Sequence, residues 1–320
     1  MPMLGMFAAG IIITAVVAGA MLVVLRSTTP PAPAADLDQR RLVVDAYRRA
    51  RVRALTCVGV ASVALVAGAV IDQRRPELLG LPLALSPGLA AAAALLAFAV
   101  VPTTVDPGVG PTSASLTPRT AGSFGSRRSF VTPAAVAVAF LAFLAWAAWI
   151  AGPDDQGRLR AVSFVDGPLS STSSPFPGTF YGLPLAVVTV LLAATTYLAL
   201  RRIATTPSLP VPMLAEQDQG WRISSTRVVI RVATAALLGY FGATAAFAGV
   251  TYRSAASALV LNGGADHGVV AGACLAVAGV ALVLAGVGVA VSAVVGAVTL
   301  RANAPHTLRA TGTPAPSPLA

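Results

Sequence analysis

Residues 182–200 read GLPLAVVTVLLAATTYLAL and are closed by Arg201-Arg202. The run contains no charged residue, and its only polar side chains are hydroxyls. About 20 apolar residues form a helix long enough to cross about 30 Å of hydrocarbon. A strand of a membrane barrel would alternate apolar and polar positions, which this run does not do. Only helices and closed barrels satisfy their backbone in lipid, so the run predicts a transmembrane helix.

Working outward, similar runs predict spans near 3–25, 54–72, 83–101, 133–151, 182–200, 229–250 and 268–299. Of the 320 residues, 56% are hydrophobic and 11% charged, against about 25% charged in a soluble domain. The fold class is therefore all-α, a polytopic bundle of about seven spans, with residues 1–301 forming one transmembrane domain. In the third span, Ser86-Pro87-Gly88 reads as a helix start, with Ser as N-cap and Pro at the first position. That places the regular helix from Pro87 to Val101 and irregular backbone from Leu78 to Leu85.

The basic residues set the orientation. All 22 are arginine. With the N-terminus outside and the C-terminus in the cytoplasm, seventeen arginines fall inside and five outside, while the acids divide six and six. Arginine-rich loops stay on the cytoplasmic side. Trp146, Trp149, Phe180, Tyr181 and Tyr252 fall at the outer ends, where amphipathic rings favour the interface. The pI near 11 thus reflects topology, and no nucleic-acid partner is expected. The all-arginine, Ala/Val/Gly-rich composition fits GC-rich codons and a bacterial source.

The polar segments differ in kind. Residues 38–53, DQRRLVVDAYRRARVR, read as a basic helix running straight into the second span. Arg40, Arg41, Arg48 and Arg49 are its candidates for contact with anionic lipid; the plainer reading is a topology determinant. The outer segment 152–180 has a strand-like RLRAVSFV at 158–165 and an Asp166-Gly167 turn signal. It reads either as a small ordered cap or as a flexible loop. The segment 102–132 and the tail 302–320 are rich in Pro, Ser, Thr and Gly and read as flexible. The first and fifth spans are followed by similar series: Leu-Arg, Thr-Thr-Pro, Asp-Gln, then arginines. Spans 1–3 and 5–7 therefore read as parallel repeats around span 4, with similar loop composition as the alternative.

The chemistry expected is sparse. No Asp, Glu, Lys or His lies within a span core, which argues against a proton pump built on a buried carboxylate. Arg231, just inside the sixth span, is expected to snorkel to the headgroups. There is no HExxH, P-loop or GxGxxG, and no lysine for a retinal Schiff base. His267 and His306 fall on opposite sides of the membrane and cannot share a haem. Asp154 and Asp155 with His267 could gather at the outer face, but adjacent acids in a polar loop are usually solvated. Cys57 and Cys274 read as small packing residues on opposite sides of the bilayer. No catalytic residue, metal site or cofactor is predicted.

Small residues carry the positive signal. Gly264, Gly268, Gly272 and Ala276 form a ladder at four-residue spacing into the seventh span, and Gly242 with Ala246 do so in the sixth. Such ladders let helices approach closely. They predict packing within the bundle or contact with a partner membrane subunit. The span hydroxyls (Thr56, Ser62, Thr189, Thr195, Thr196, Thr234, Thr244 and Ser292 among them) either bond back to their own helices or line a path for a neutral solute.

Leu116-Thr117-Pro118-Arg119 with Ser129-Phe130, Pro175-Phe176-Pro177-Gly178 through Tyr181-Gly182-Leu183-Pro184, and Leu200-Arg201-Arg202 give the chain the style of a known group. It resembles the uncharacterised multi-spanning plasma-membrane proteins of actinobacteria. That resemblance implies a multi-pass plasma-membrane protein accompanying a transport system, and supplies no catalytic residues. The leading expectation is a non-enzymatic membrane subunit or scaffold beside other membrane subunits of such a system, with a separate ATPase chain. The alternative is a self-contained permease for a neutral or hydrophobic solute. A third is an enzyme acting on lipid phosphates, gathering Arg40, Arg41 and Asp45 with the arginines of 119–128.

Overall fold

A computed structural model describes residues 37–101, 120–206, 215–266 and 268–302. The predicted first span and the tail 302–320, apart from Ala302 itself, lie outside the described residues, as do both histidines. Six helices run in order: α1 Leu37–Arg74, α2 Leu81–Val100, α3 Arg127–Ile150, α4 Thr179–Thr205, α5 Ala215–Leu261 and α6 Val269–Ala302. Among the described residues, these six are long and apolar enough to cross a membrane. Between α3 and α4 lie β1 Gly152–Pro153, β2 Leu159–Asp166 and β3 Leu169–Ser173.

The fold is mostly helical as predicted, and the outer segment, read as either a small ordered cap or a flexible loop, is ordered. The segment 152–173 is an ordered antiparallel sheet in the order β1-β2-β3. Its hairpin pairs Val162 with Ser173 and Asp166 with Leu169. Gly167 at the turn has φ +57, which an L side chain rarely adopts. Along β2, Val162 and Phe164 share the face that packs on the bundle, while Ser163 and Val165 on the other face are exposed. Ala161 and Val162 are buried there.

One correction concerns α2, which starts at Leu81 and runs unbroken through Pro87. Proline in a helix removes one backbone donor and leaves the carbonyl four residues earlier without its partner. Here that carbonyl is Leu83 O, and the Ser86 hydroxyl donates to it at 2.9 Å. Ser86-Pro87 is thus a repaired helix interior and not a helix start. The real start follows a tight turn in which Leu79 (φ 54) and Gly80 (φ 86) are both left-handed. For leucine that conformation is unfavourable, and Leu79 is held from both sides. Its N–H donates to Pro76 O at 3.0 Å, and its carbonyl accepts from the Tyr181 hydroxyl at 2.6 Å.

The basic stretch does run straight into a span, since α1 is a single 38-residue helix. The sixth span is much longer than the predicted 229–250. No proline falls between Pro212 and Pro305, and α5 extends over 47 residues, about 70 Å. The turn after it is Asn262-Gly263-Gly264, with Gly263 at φ +91, as a helix end prefers. The Asp266 carboxylate then caps α6 by accepting from Gly268 N–H at 3.1 Å and Val269 N–H at 2.9 Å.

The helices α2 to α5 form the body of the bundle, with α1 packed on α2 and α6 packed on α5. One core cluster joins Leu95, Leu192, Ile203, Val229 and Ile230. A second is aromatic and includes Phe140, Tyr181 and Tyr240. The third, Ala147, Val162, Phe176, Ala248 and Ala255, seats the sheet on the helices. The molecule thus has a cap end, carrying the sheet, and an opposite end where most of the described arginines lie.

Candidate functional site

The seam between α5 and α6 is where the predicted ladder residues act. A Cβ on Gly242 would stand 2.6 Å from Gly279 O, and one on Gly272 2.6 Å from Arg253 N. Contacts that short are forbidden to real side chains, so the two backbones touch. The predicted residues are joined by glycines the four-residue count passed over. A Cβ on Gly279 would meet Ala246 N at 2.2 Å, and one on Gly249 would meet Ala276 N at 2.3 Å. Gly242, Ala246, Gly272 and Ala276 therefore pack within this chain. Gly264 and Gly268 both precede α6, which begins at Val269. Gly264 packs against Leu259 and Gly268 against Tyr252.

At the cap end the polar groups form a closed network. Asp154 Oδ1 accepts from Gln156 N–H at 2.9 Å and Arg158 N–H at 2.8 Å, and Oδ2 accepts from the Arg160 guanidinium. Burial opposes the charge on this carboxyl. The Arg158 N–H, the Arg160 guanidinium and the Gln156 N–H together outweigh it and hold its pKa below the ordinary value. Arg160 is raised in turn: burial disfavours its charge, while Asp154 and Tyr181 favour it more. Arg158 donates to Glu77 O at 3.2 Å. Asp154 is therefore the counter-ion of Arg160; His267, with which it could gather, lies outside the described residues. Beneath this network sits an apolar cavity of about 50 Å³ lined by Leu83, Ala84, Pro177, Tyr181, Leu185 and Thr244, among others. That is room for a water or two.

Most of the span hydroxyls are engaged with their own helices, while Thr251 of α5 donates to Pro175 O at 2.7 Å. Thr56 donates to Val52 O, Thr189 to Leu185 O, Thr196 to Leu192 O, Thr234 to Ile230 O, Thr244 to Tyr240 O and Ser292 to Val289 O, all at 2.6–2.9 Å. Thr195 donates to Leu191 O and Leu192 O at 3.1 Å.

At the other end, arginines reach helix carbonyls. Arg53 is 4% exposed. Its guanidinium lies 3.4 Å from the centroid of the Phe98 ring and donates through Nε to Phe98 O at 2.7 Å. Phe98 O is one of the last carbonyls of α2, which have no partner within the helix. Arg222 is 1% exposed and donates to Ile203 O and Thr206 O, each at 2.8 Å, closing the end of α4. Arg231 was expected to reach the headgroups; instead it donates to Ser292 O of α6 at 2.8 Å. Arg49 is half-buried on α1. For Arg40, Arg41, Arg48 and Asp45 the helix is described, but the side chains lie outside the described residues. Cys57 is partly buried and Cys274 exposed, both free thiols, so Cys274 is not a packing residue among the described residues.

Sequence reasoning missed Arg53 and Arg222 as buried groups. The only signal was their place beside apolar runs, which topology alone explains equally well. Comparison of the chain with protein-family models, with curated proteins and with solved structures finds no match.

Proposed function

We propose that this chain is a non-enzymatic membrane subunit or scaffold that works beside other membrane subunits of a transport system. The observation that carries it is the destination of the span hydroxyls. All of those named above except Ser62 are bonded within their own helices, and α5 meets α6 backbone to backbone, so these hydroxyls serve the packing of the bundle. The faces turned away from the bundle are available to lipid or to another subunit. Val270, Val277 and Leu284 of α6 are 65–70% exposed.

The same reading gives seven spans, with residues 3–25 as the first, the N-terminus outside and the arginine end in the cytoplasm of a bacterial plasma membrane. The clustering of aromatic residues at the cap end supports it. The helical hairpins α1–α2 and α5–α6, both turning at the cap end, support the parallel repeat of spans 1–3 and 5–7. The likeness to actinobacterial multi-spanning proteins belongs to this proposal as well.

The test is purification from the native host in a gentle detergent, with mass spectrometry of what accompanies the chain. An ATPase and a second membrane subunit in stoichiometric amounts would uphold the reading. A chain that purifies alone, and whose proteoliposomes pass a neutral solute, would replace it with the permease.

A further inference from the structure

The face of α1 turned away from α2 is uncovered. From Ala54 to Arg74 no residue of α1 is buried. A Cβ on Gly68 would stand 2.5 Å from Ser86 Cβ, so that side lies against α2. On the opposite side a Cβ on Gly59 meets nothing within 4 Å. Val52, Leu55, Val63, Val66 and Val70 continue the Gly59 face at spacings of three and four, and they are 40–69% exposed. Ser62 stands at the edge of this face, and among the described residues its hydroxyl has no hydrogen-bond partner.

The chain outside the structure ends at this helix. Residues 26–36 join the predicted first span, 3–25, to Leu37, and a stretch of that length reaches at most about 36 Å. The lead of α1 from Leu37 to Arg53 uses about 25 Å of it along the helix axis. The tether therefore favours a face next to α1 over the outward face of α6, which stands at the other end of the packing series α1–α2–α5–α6. The segment also matches the face in its polar group. Thr14 is the only side chain with a hydrogen-bond donor between Met3 and Leu25, and it stands at the centre of that run. Ser62 is one residue from the centre of the predicted span 54–72. Run antiparallel, the two hydroxyls reach the same depth. Gly10 and Ala18 stand four residues to either side of Thr14, and such small residues let helices approach closely enough for hydroxyls to bond across the seam.

We propose that residues 3–25 form a helix that covers the open face of α1, antiparallel to it, with the Thr14 and Ser62 hydroxyls hydrogen-bonded at mid-membrane. The inference rests on residues 3–25 being the first span.

The test uses the full chain in native membranes, with Cys57→Ala and Cys274→Ala removing the natural thiols and a protease site placed within residues 26–36. Thr14→Cys is paired with Ser62→Cys, or with Leu284→Cys on the exposed face of α6. Copper phenanthroline oxidises each pair, and cleavage then shows whether the N-terminal fragment stays attached. Thr14→Cys should join Ser62→Cys at least about tenfold faster than Leu284→Cys, because a tether alone supplies only a limited effective concentration. Should a central variant fail to insert, Gly10→Cys with Val66→Cys decides in the same way. Equal rates, faster joining to Leu284→Cys, or Ser62→Cys joined between two copies of the chain would overturn the proposal. Labelling of Pro2→Cys by an impermeant maleimide in intact cells reports the span itself. Labelled Pro2→Cys with neither pair joined sinks the docking alone, whereas unlabelled Pro2→Cys sinks the first span and this inference with it.

Discussion

The guanidinium of Arg222 on α5 donates to the carbonyl of Thr206, sixteen residues earlier in the chain, at 2.8 Å, and so closes the end of α4. With the second bond to Ile203 O at 2.8 Å, one buried side chain supplies two carbonyls that the helix cannot satisfy itself. The positive charge also complements the negative end of the helix. Arg222→Leu should lower stability by about 2–4 kcal/mol, since hydrogen bonds to charged groups are worth about 1.5–3 kcal/mol each and two carbonyls lose their donor. Arg227→Leu, at an exposed site, should change it by less than about 0.5 kcal/mol. Thermal unfolding in detergent compares the two, and equal effects would mean that the carbonyl contacts contribute nothing.

The α5–α6 seam makes a sharper prediction. A Cβ at Gly279 would lie 2.2 Å from Ala246 N, whereas one at Gly288 meets nothing within 4 Å. Gly279→Val should force the helices apart at a cost of at least about 1–3 kcal/mol. Gly288→Val should be tolerated. Crosslinking of cysteines placed at Leu238 and Gly286, which face each other across the seam, with and without each substitution, reports the separation.

The cap should be sensitive to acid. The Asp154 carboxyl has a folded pKa below its ordinary value, because hydrogen bonds from Arg158, Arg160 and Gln156 outweigh the opposing effect of burial. A depressed folded pKa contributes stability above the unfolded value, about pH 4, and that stability is lost as pH falls through the folded value. Emission from Trp146, which packs on Phe176 at 6.5 Å, should therefore change below about pH 4. Asp154→Asn should start from a looser cap and show a weaker acid step. An identical acid response in the variant would assign the step to another group.

Much of the architecture was legible in the sequence. Uninterrupted apolar runs marked the helices, the arginine-rich 38–53 segment ran into its span as α1, and RLRAVSFV with Asp166-Gly167 announced β2 and its turn. These are local signals, carried by hydropathy, alternation and a glycine-compatible turn. What escaped was set by distant partners. Ser86-Pro87 has the local form of a helix start, and only the Gly80 turn and the Ser86 bond to Leu83 O show it to be an interior. Arg53 and Phe98 are 45 residues apart, so no spacing rule links them. Arg231 looked like a snorkelling residue because Ser292 O belongs to the following helix. The contacts of Gly249 and Gly279 depend on the register of two helices.

The central claim is a membrane bundle with its cap outside and its arginine end in the cytoplasm. Single cysteines in a Cys57→Ala, Cys274→Ala background test it most directly, one at Ser171 in β3 and one at Ser129 near the start of α3, each probed with a membrane-impermeant maleimide. The account predicts that Ser171→Cys is labelled in intact cells and Ser129→Cys only after the membrane is opened. Labelling of Ser129→Cys alone in intact cells would invert the orientation, and equal labelling of both in intact cells would contradict a membrane-spanning bundle.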